Sequence, residues 1–186
     1  MKTQILYGLS MMTVLACSTG AHALTTYMGL DIAHNDGTLK KDSLKKTNLE
    51  LEQSGMSYGL TLGAAVTDHI AVEVFYSKYE DGTGTFDVLG EELEVKQQGY
   101  GASVNFRHDI VGDIYGVATL GMKRLDTKKV VYKDDFVMLK HDDNTSFKPF
   151  FGAGIGVKTT DRINLEAKYS RFEDMNTISG TFIYRF

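Results

Sequence analysis

The chain has 186 residues, 42% of them hydrophobic and 24% charged, with one Pro, one Cys and no Trp. That is one domain's worth of chain and too apolar for a disordered protein, and a formal charge of −4 leaves no basic footprint for nucleic acid. The 19 Gly, 10 Tyr and 10 Phe point to β structure with closely spaced walls and fit a long helical bundle poorly.

The N-terminal segment comes first. Met1 and Lys2 make a short positive start, and Ile5 to Cys17 is uncharged, about the length of a signal h-region and too short to span a bilayer as a helix. Ala21-His22-Ala23 then places small residues at both specificity positions of a cleavage site. We therefore expect residues 1–23 to be a signal peptide and 24–186 the mature domain. Removing Lys2 and no acid takes the formal charge from −4 to −5. Val14-Leu15-Ala16-Cys17 loosely approaches a lipoprotein box, but Leu15 is bulky where that box carries a small residue, so Cys17 reads as an h-region cysteine. The mature chain then has no cysteine, and an exported domain without disulfides needs a sizeable core or a membrane to stabilise it.

From Leu24 onward the recurring signal is a period of two. In chain order the outward-facing sets are Met28–Ile32, Tyr58–Ala64, Ile70–Tyr76, Tyr100–Phe106, Ile114–Met122, Phe151–Val157, Ile163–Tyr169 and Ile178–Phe186, each taken at every second residue. The intervening positions are small or polar, with Glu73, Lys123, Glu166 and Lys168 in mid-strand. Charges among Gly, Ser, Thr and Asn suit neither a solvent face nor a dry core. They suit the narrow interior of a small barrel whose outer face meets lipid, because only a closed barrel satisfies every strand N–H and C=O in hydrocarbon. Strands of about 9–11 residues cross a bilayer at a tilt. The expected fold is all-β, an eight-stranded antiparallel up-and-down transmembrane β-barrel.

Connection lengths agree. Residues 66–69, 108–113 and 158–162 are short turns, and they alternate with long charged connections at 33–53, 80–97 and 124–146; the last connection, 173–176, is short. Short turns on one rim and mostly long loops on the other is the asymmetry of outer-membrane barrels. With no Trp available, an interfacial belt must use Tyr27, Tyr58, Tyr76, Tyr100, Phe151, Tyr169, Phe172 and Tyr184.

Eight strands give an interior that side chains just fill, which disfavours an open pore. The inward charges Glu73, Arg107, Lys123, Glu166 and Lys168 are expected to pair as a plug, with an ion path as the alternative. The outer connections read as hairpins continuing above the membrane. Phe86 to Leu89 and Glu92 to Val95 flank Gly90-Glu91, Val130 to Tyr132 and Phe136 to Leu139 flank Lys133-Asp134-Asp135, and Asn48 to Glu52 extends a strand upward. The expected product is a protruding sheet that binds a partner or forms a hydrophilic collar. Its acidic part holds the candidate partner-binding residues Phe86, Val88, Glu91, Glu92 and Glu94.

Catalytic chemistry has little support. His34 and His141 fall in outer loops, and His69 and His108 at the short-turn rim. Ser170 and Glu173 are close in sequence, but no His accompanies them, as a nucleophile–base pair requires. His141-Asp142-Asp143 is oxygen-rich but reads as a solvated loop tip. No catalytic residue, metal or cofactor is assigned.

The C-terminus carries a family resemblance. Ile178, Gly180, Phe182, Tyr184 and Phe186 share a face, and Phe182, Tyr184 and the terminal Phe186 resemble the signal by which the assembly machinery recognises outer-membrane barrels. Phe150-Phe151-Gly152-Ala153-Gly154-Ile155-Gly156, a short turn and Leu165 to Ser170 resemble the strand pair of the outer-membrane β-barrel domain family. Ile114 to Gly121 is similar to the matching strand of the small OmpA/OmpX-type barrels. The resemblance implies location and fold: a Gram-negative outer membrane, contact with its lipid and its assembly machinery, and no particular activity. The expected function is a non-enzymatic surface protein that adheres or binds an extracellular protein or surface ligand. A lipid-modifying enzyme and a purely structural envelope protein are the alternatives.

Overall fold

Two of the short turns share a sequence pattern, Thr-Asp, a basic residue and Ile, and a structure. In Thr67-Asp68-His69-Ile70 the Thr67 hydroxyl accepts from the backbone N–H of His69 at 3.2 Å and Ile70 at 3.0 Å. In Thr160-Asp161-Arg162-Ile163, Thr160 does the same to Arg162 at 3.2 Å and Ile163 at 3.0 Å. A hydroxyl that satisfies two turn amides lets the chain reverse within four residues. The third turn reverses at Gly112, whose φ of 55° is a left-handed conformation glycine adopts without a Cβ penalty.

The computed structural model describes residues 25–39, 51–80, 82–86, 91–133, 136–144 and 146–186. The segment expected to be a signal peptide, Cys17 within it, and Val88 lie outside these residues. Ten strands are present: β1 (Thr25–Leu39), β2 (Leu51–Ala65), β3 (Ile70–Tyr79), β4 (Gly82–Phe86), β5 (Glu91–Val111), β6 (Ile114–Lys133), β7 (Phe136–Asn144), β8 (Lys148–Lys158), β9 (Ile163–Phe172) and β10 (Met175–Arg185). Every pairing is antiparallel. The order β5-β3-β2-β1-β10-β9-β8-β6 closes through β5–β6 into an eight-stranded up-and-down barrel, in which the first and last strands pair from Tyr27↔Arg185 to Gly37↔Met175.

β4 and β7 stand outside the barrel. About ten residues of strand cross a bilayer, yet β5 has 21 and β6 has 20. Their upper parts pair with each other from Glu92↔Tyr132, with β4 on one flank and β7 on the other. The result is a four-stranded sheet, β4-β5-β6-β7, growing out of the barrel wall. The first hairpin differs from expectation. β4 pairs with Glu91–Val95, so Glu91, expected in the turn, is already part of β5, and residues 87–90 lie outside the described residues. Glu92 onward is also held by β6 on its other edge, which extends β5 toward its start.

Burial is inverted relative to a water-soluble sandwich. Leu30, Ile32, Leu60, Leu120, Phe151, Ile155, Leu165 and Ile178 point outward and are about half exposed, whereas Asn35, Asn105, Asn164, Glu73 and Glu166 are buried inside. A continuous exposed apolar band of this extent belongs against lipid.

Candidate functional site

The lumen is organised in three levels. Nearest the short-turn rim lies an ion-pair cluster. Arg107, from β5, donates through Nε to Glu166 Oε1 at 2.8 Å and through Nη2 to Glu73 Oε1 at 3.1 Å. Lys168 reaches Glu166 Oε2 at 3.3 Å. The Glu166 side chain is fully buried and that of Glu73 nearly so. Two tyrosines complete the cluster. Tyr27 donates to Glu73 at 2.6 Å and accepts from Arg107 at 3.1 Å, and Tyr115 donates to Glu166 at 2.9 Å. Each carboxylate therefore meets one cation or more and one hydroxyl, which offsets the cost of burying it.

Above the cluster is a polar chamber of about 110 Å³ lined by Asp31, Ser57, Ser103, Thr119, Lys123 and Lys168, among others. Asp31 sits in its wall, accepting from Thr61 at 2.7 Å and Thr181 at 2.6 Å. The outer end is closed by Tyr79, Leu125, Phe150, Phe172 and Met175, with Phe75 packed edge-on against Phe150 at 5.5 Å. On the short-turn side the cluster floors an open vestibule of about 630 Å³, rimmed by His69, Lys158 and Arg185.

Of the five expected lumen charges, the structure brings together Glu73, Arg107, Glu166 and Lys168. Lys123 is not among them. It faces inward but lies six residues up β6 from Val117, the partner of Arg107, or roughly 20 Å along the strand. There its ammonium donates to the Tyr79 hydroxyl and rests over the rings of Tyr79 at 5.1 Å and Phe172 at 5.6 Å.

The expected belt also needs two corrections. Tyr27 and Phe172 point into the barrel, at 4% and 3% exposure. Tyr27 is in phase with Gly29 and Asp31, and Phe172 with Lys168 and Ser170, so alternation carries both rings inside. Tyr58, Tyr76, Phe151 and Tyr169 are outward and exposed, and Tyr100 and Tyr184 lie partly covered on the same surface. Tyr115 escaped the sequence reading altogether. Its signal was the same phase, shared with Thr119 and Lys123.

The catalytic candidates do not converge. Ser170 faces the chamber, Glu173 is ion-paired to Lys148 in the outer turn, and His34 is exposed on β1.

The outer sheet places Phe86 opposite Glu91 at the end of the β4–β5 pairing, Thr85 opposite Glu92 and Thr83 opposite Glu94. Glu92 and Glu94 also pair across to Tyr132 and Val130. Four of the five candidate partner-binding residues therefore lie on two adjacent strands of one sheet.

The molecule is thus a closed eight-stranded barrel with a polar lumen, an apolar exterior and a one-sided extension. The family described as "Outer membrane protein beta-barrel domain" matches residues 7–186. The chain belongs to that family. This outer-membrane barrel is similar in structure to Ail, the attachment invasion locus protein of Yersinia pestis. The TM-score is 0.56 at 15% identity over 89% of this chain and 100% of that one, in a crystal that also holds the heparin analogue sucrose octasulfate. It is similar to Neisserial surface protein A, with a TM-score of 0.57 at 16% identity over 89% and 100%. The N-terminal barrel domain of Pseudomonas aeruginosa OprF gives a TM-score of 0.57 at 11% identity over 88% and 100%. No curated protein sequence matches the chain. At these identities the likeness concerns the fold. The family places the chain in the outer membrane of a Gram-negative bacterium.

Proposed function

We propose that this barrel is a non-enzymatic surface protein that binds an extracellular partner through residues 33–53, 80–97 and 124–146. The observation that carries this reading is the β4-β5-β6-β7 sheet, which continues the barrel ladder beyond the membrane-crossing length. A collar that only solvates the rim gains nothing from ordered strands with open edges. The two edges differ. β7 carries Lys140, Asp142 and Asp143 and a register shift where Val131 and Tyr132 meet it, features that blunt strand addition. β4, Gly82-Thr83-Gly84-Thr85-Phe86, has neither charge nor Pro and is the edge suited to pairing with an extended segment of a partner.

Charge selects the partner. Residues 80–95 hold Glu80, Asp81, Asp87, Glu91, Glu92 and Glu94 with no Lys or Arg, so the surface favours a basic partner. A polyanion such as the one in the Ail crystal would meet repulsion there. In this reading Glu91, Glu92 and Glu94 steer encounter, while Phe86 and Val88 supply contact area. The lumen cluster serves as a plug that holds the barrel under the sheet. Residues 1–23 act as the signal peptide that delivers the chain for export, and Phe182, Tyr184 and Phe186 as the assembly signal.

The test is adhesion of cells displaying the barrel, with Glu91, Glu92 and Glu94 changed together to Gln. Binding should weaken in the variant and with added salt, as the screening length falls to about 8 Å at physiological strength. Binding indifferent to both would remove the electrostatic reading, and no binding to any surface would favour the collar.

A further inference from the structure

His69 and His108 lie far apart in sequence and meet at the short-turn rim, where their ring centroids stand 5.9 Å apart with the planes tilted by 48°. Strand register makes the contact. The Arg107 amide donates to the His69 carbonyl at 2.7 Å, and His108 is the next residue along β5. The His69 ring is fixed as well. Its Nδ1 lies 3.1 Å from the Arg107 carbonyl, which can only accept. In the neutral ring Nδ1 therefore carries the proton and Nε2 the free lone pair. Behind the ring, the Thr67 hydroxyl holds the turn by accepting from the His69 and Ile70 amides. His108 is held in the β5–β6 ladder opposite Gly116, so no side chain stands directly across from it.

Both histidines are exposed. The Asp109 carboxylate, next along β5, is engaged through both oxygens by Lys158 at 2.8 and 2.9 Å. Among the described residues no third His, Cys, Asp or Glu joins the pair to make a ligand set of three. Two imidazoles are thus the donors on offer. An ion about 2.0 Å from one nitrogen of each of two imidazoles sets their centroids about 5–6 Å apart. The pair already stands at that separation.

We propose that His69 and His108 form a two-histidine site for a divalent transition-metal ion, copper(II) ahead of zinc(II). His69 Nε2 is one ligand, a ring nitrogen of His108 the second, and water fills the remaining positions. Imidazole nitrogen suits these ions, whereas magnesium and calcium require oxygen. The hydrogen bond from His69 Nδ1 to a backbone carbonyl is the kind of outer contact that orients a metal-bound imidazole. The bound ion ties the β2–β3 turn to β5. This site lies at the opposite rim from the β4–β5 surface, and either can fail without the other.

The untagged barrel in neutral detergent micelles would be titrated with copper(II), reading affinity by calorimetry and the ligand set by electron paramagnetic resonance. The tightest copper should show nitrogen hyperfine coupling; zinc(II) should compete for it and magnesium should not. His69→Ala and His108→Ala should each lower affinity about tenfold or more, since even an outer-contact loss costs that much. His34→Ala, at the other rim, should have no effect, and heat-modifiable gel migration would establish that each variant is folded. Copper should also raise the urea midpoint of the native barrel and leave that of the double histidine variant where it was, because an ion held only by the folded rim stabilises it by mass action. Affinity unchanged in either folded single variant would overturn the site. So would equal competition by magnesium, or a midpoint that copper raises as much in the double variant as in the native barrel.

Discussion

Tyr27 lies directly against Gly63, its cross-strand neighbour, so closely that a Cβ at Gly63 would stand 2.2 Å from Tyr27 Cζ. Tyr115 repeats the relationship on the other side of the barrel with its neighbour Gly156, at 2.3 Å. Each ring fills the space its glycine leaves, and each hydroxyl reaches one of the two buried glutamates, Glu73 and Glu166. Gly63→Ala or Gly156→Ala should cost about 1–3 kcal/mol through overpacking. Gly29→Ala should cost less, because the nearest atoms its Cβ would meet, on Thr181 and Thr61, stand at 3.2 and 3.3 Å. Urea unfolding from lipid vesicles would rank the three, and equal midpoints would contradict the packing.

Arg107 stands between two buried carboxylates, and their fates without it differ. Arg107→Met should destabilise the barrel by about 3–5 kcal/mol. Glu166 would keep Lys168, whereas Glu73 would keep, among the described residues, the Tyr27 hydroxyl alone. Adding Glu73→Gln to Arg107→Met should therefore restore more stability than adding Glu166→Gln. The reverse order in the same unfolding assay would show that Lys168 does not hold Glu166.

Leu62, Val74 and Leu165 lie on the lipid side, Thr61 and Ser103 on the lumen side. Arg at any of the first three should cost about 2–4 kcal/mol near the midplane. Cysteines at 62, 74 and 165 should react with a lipid-soluble thiol probe and those at 61 and 103 should not. The opposite labelling would mean the register is shifted by one residue.

Phe186 closes the barrel, its amide donating to the Thr26 carbonyl at 3.0 Å while its ring packs edge-on against Tyr184 at 5.5 Å. Phe186 is 71% exposed, so loss of its ring should barely change the stability of a barrel already folded. Phe186→Ala should instead lower the amount that reaches the folded state in cells, read by heat-modifiable migration. Unchanged yield would remove the assembly-signal reading.

At the periplasmic rim, Lys158 reaches both oxygens of Asp109, at 2.8 and 2.9 Å. The hydrogen bond from Lys158 holds the Asp109 carboxyl below the usual carboxylate range. The folded state thus binds that proton less readily than the unfolded one. The stabilisation is complete above the unfolded value of about 3.9 and is lost as pH falls through the lower folded value. Lys158→Met should raise the Asp109 midpoint, followed by carboxyl-carbon NMR in micelles. An unmoved midpoint would show that the contact is not populated in solution.

Alternation by itself determined the eight barrel strands and their lipid and lumen faces. It could do so because a barrel in lipid admits one apolar side per strand, and a slip of one residue reverses every side chain. The same phase held Tyr27, Tyr115 and Phe172 inside. Reading aromatics as belt residues by their place near strand ends set that information aside. The tertiary structure alone decided which inward charges meet. Glu73, Arg107 and Glu166 lie on three strands far apart in sequence, and barrel closure and stagger bring them to one height while lifting Lys123 into an aromatic cap. The same holds for the outer sheet. Its hairpins were visible as local patterns, but β4 and β7 become two edges of one sheet only because the β5–β6 pairing continues past the membrane. Periodicity is local and reports facing; register across strands is a property of the closed barrel, and it sets the contacts.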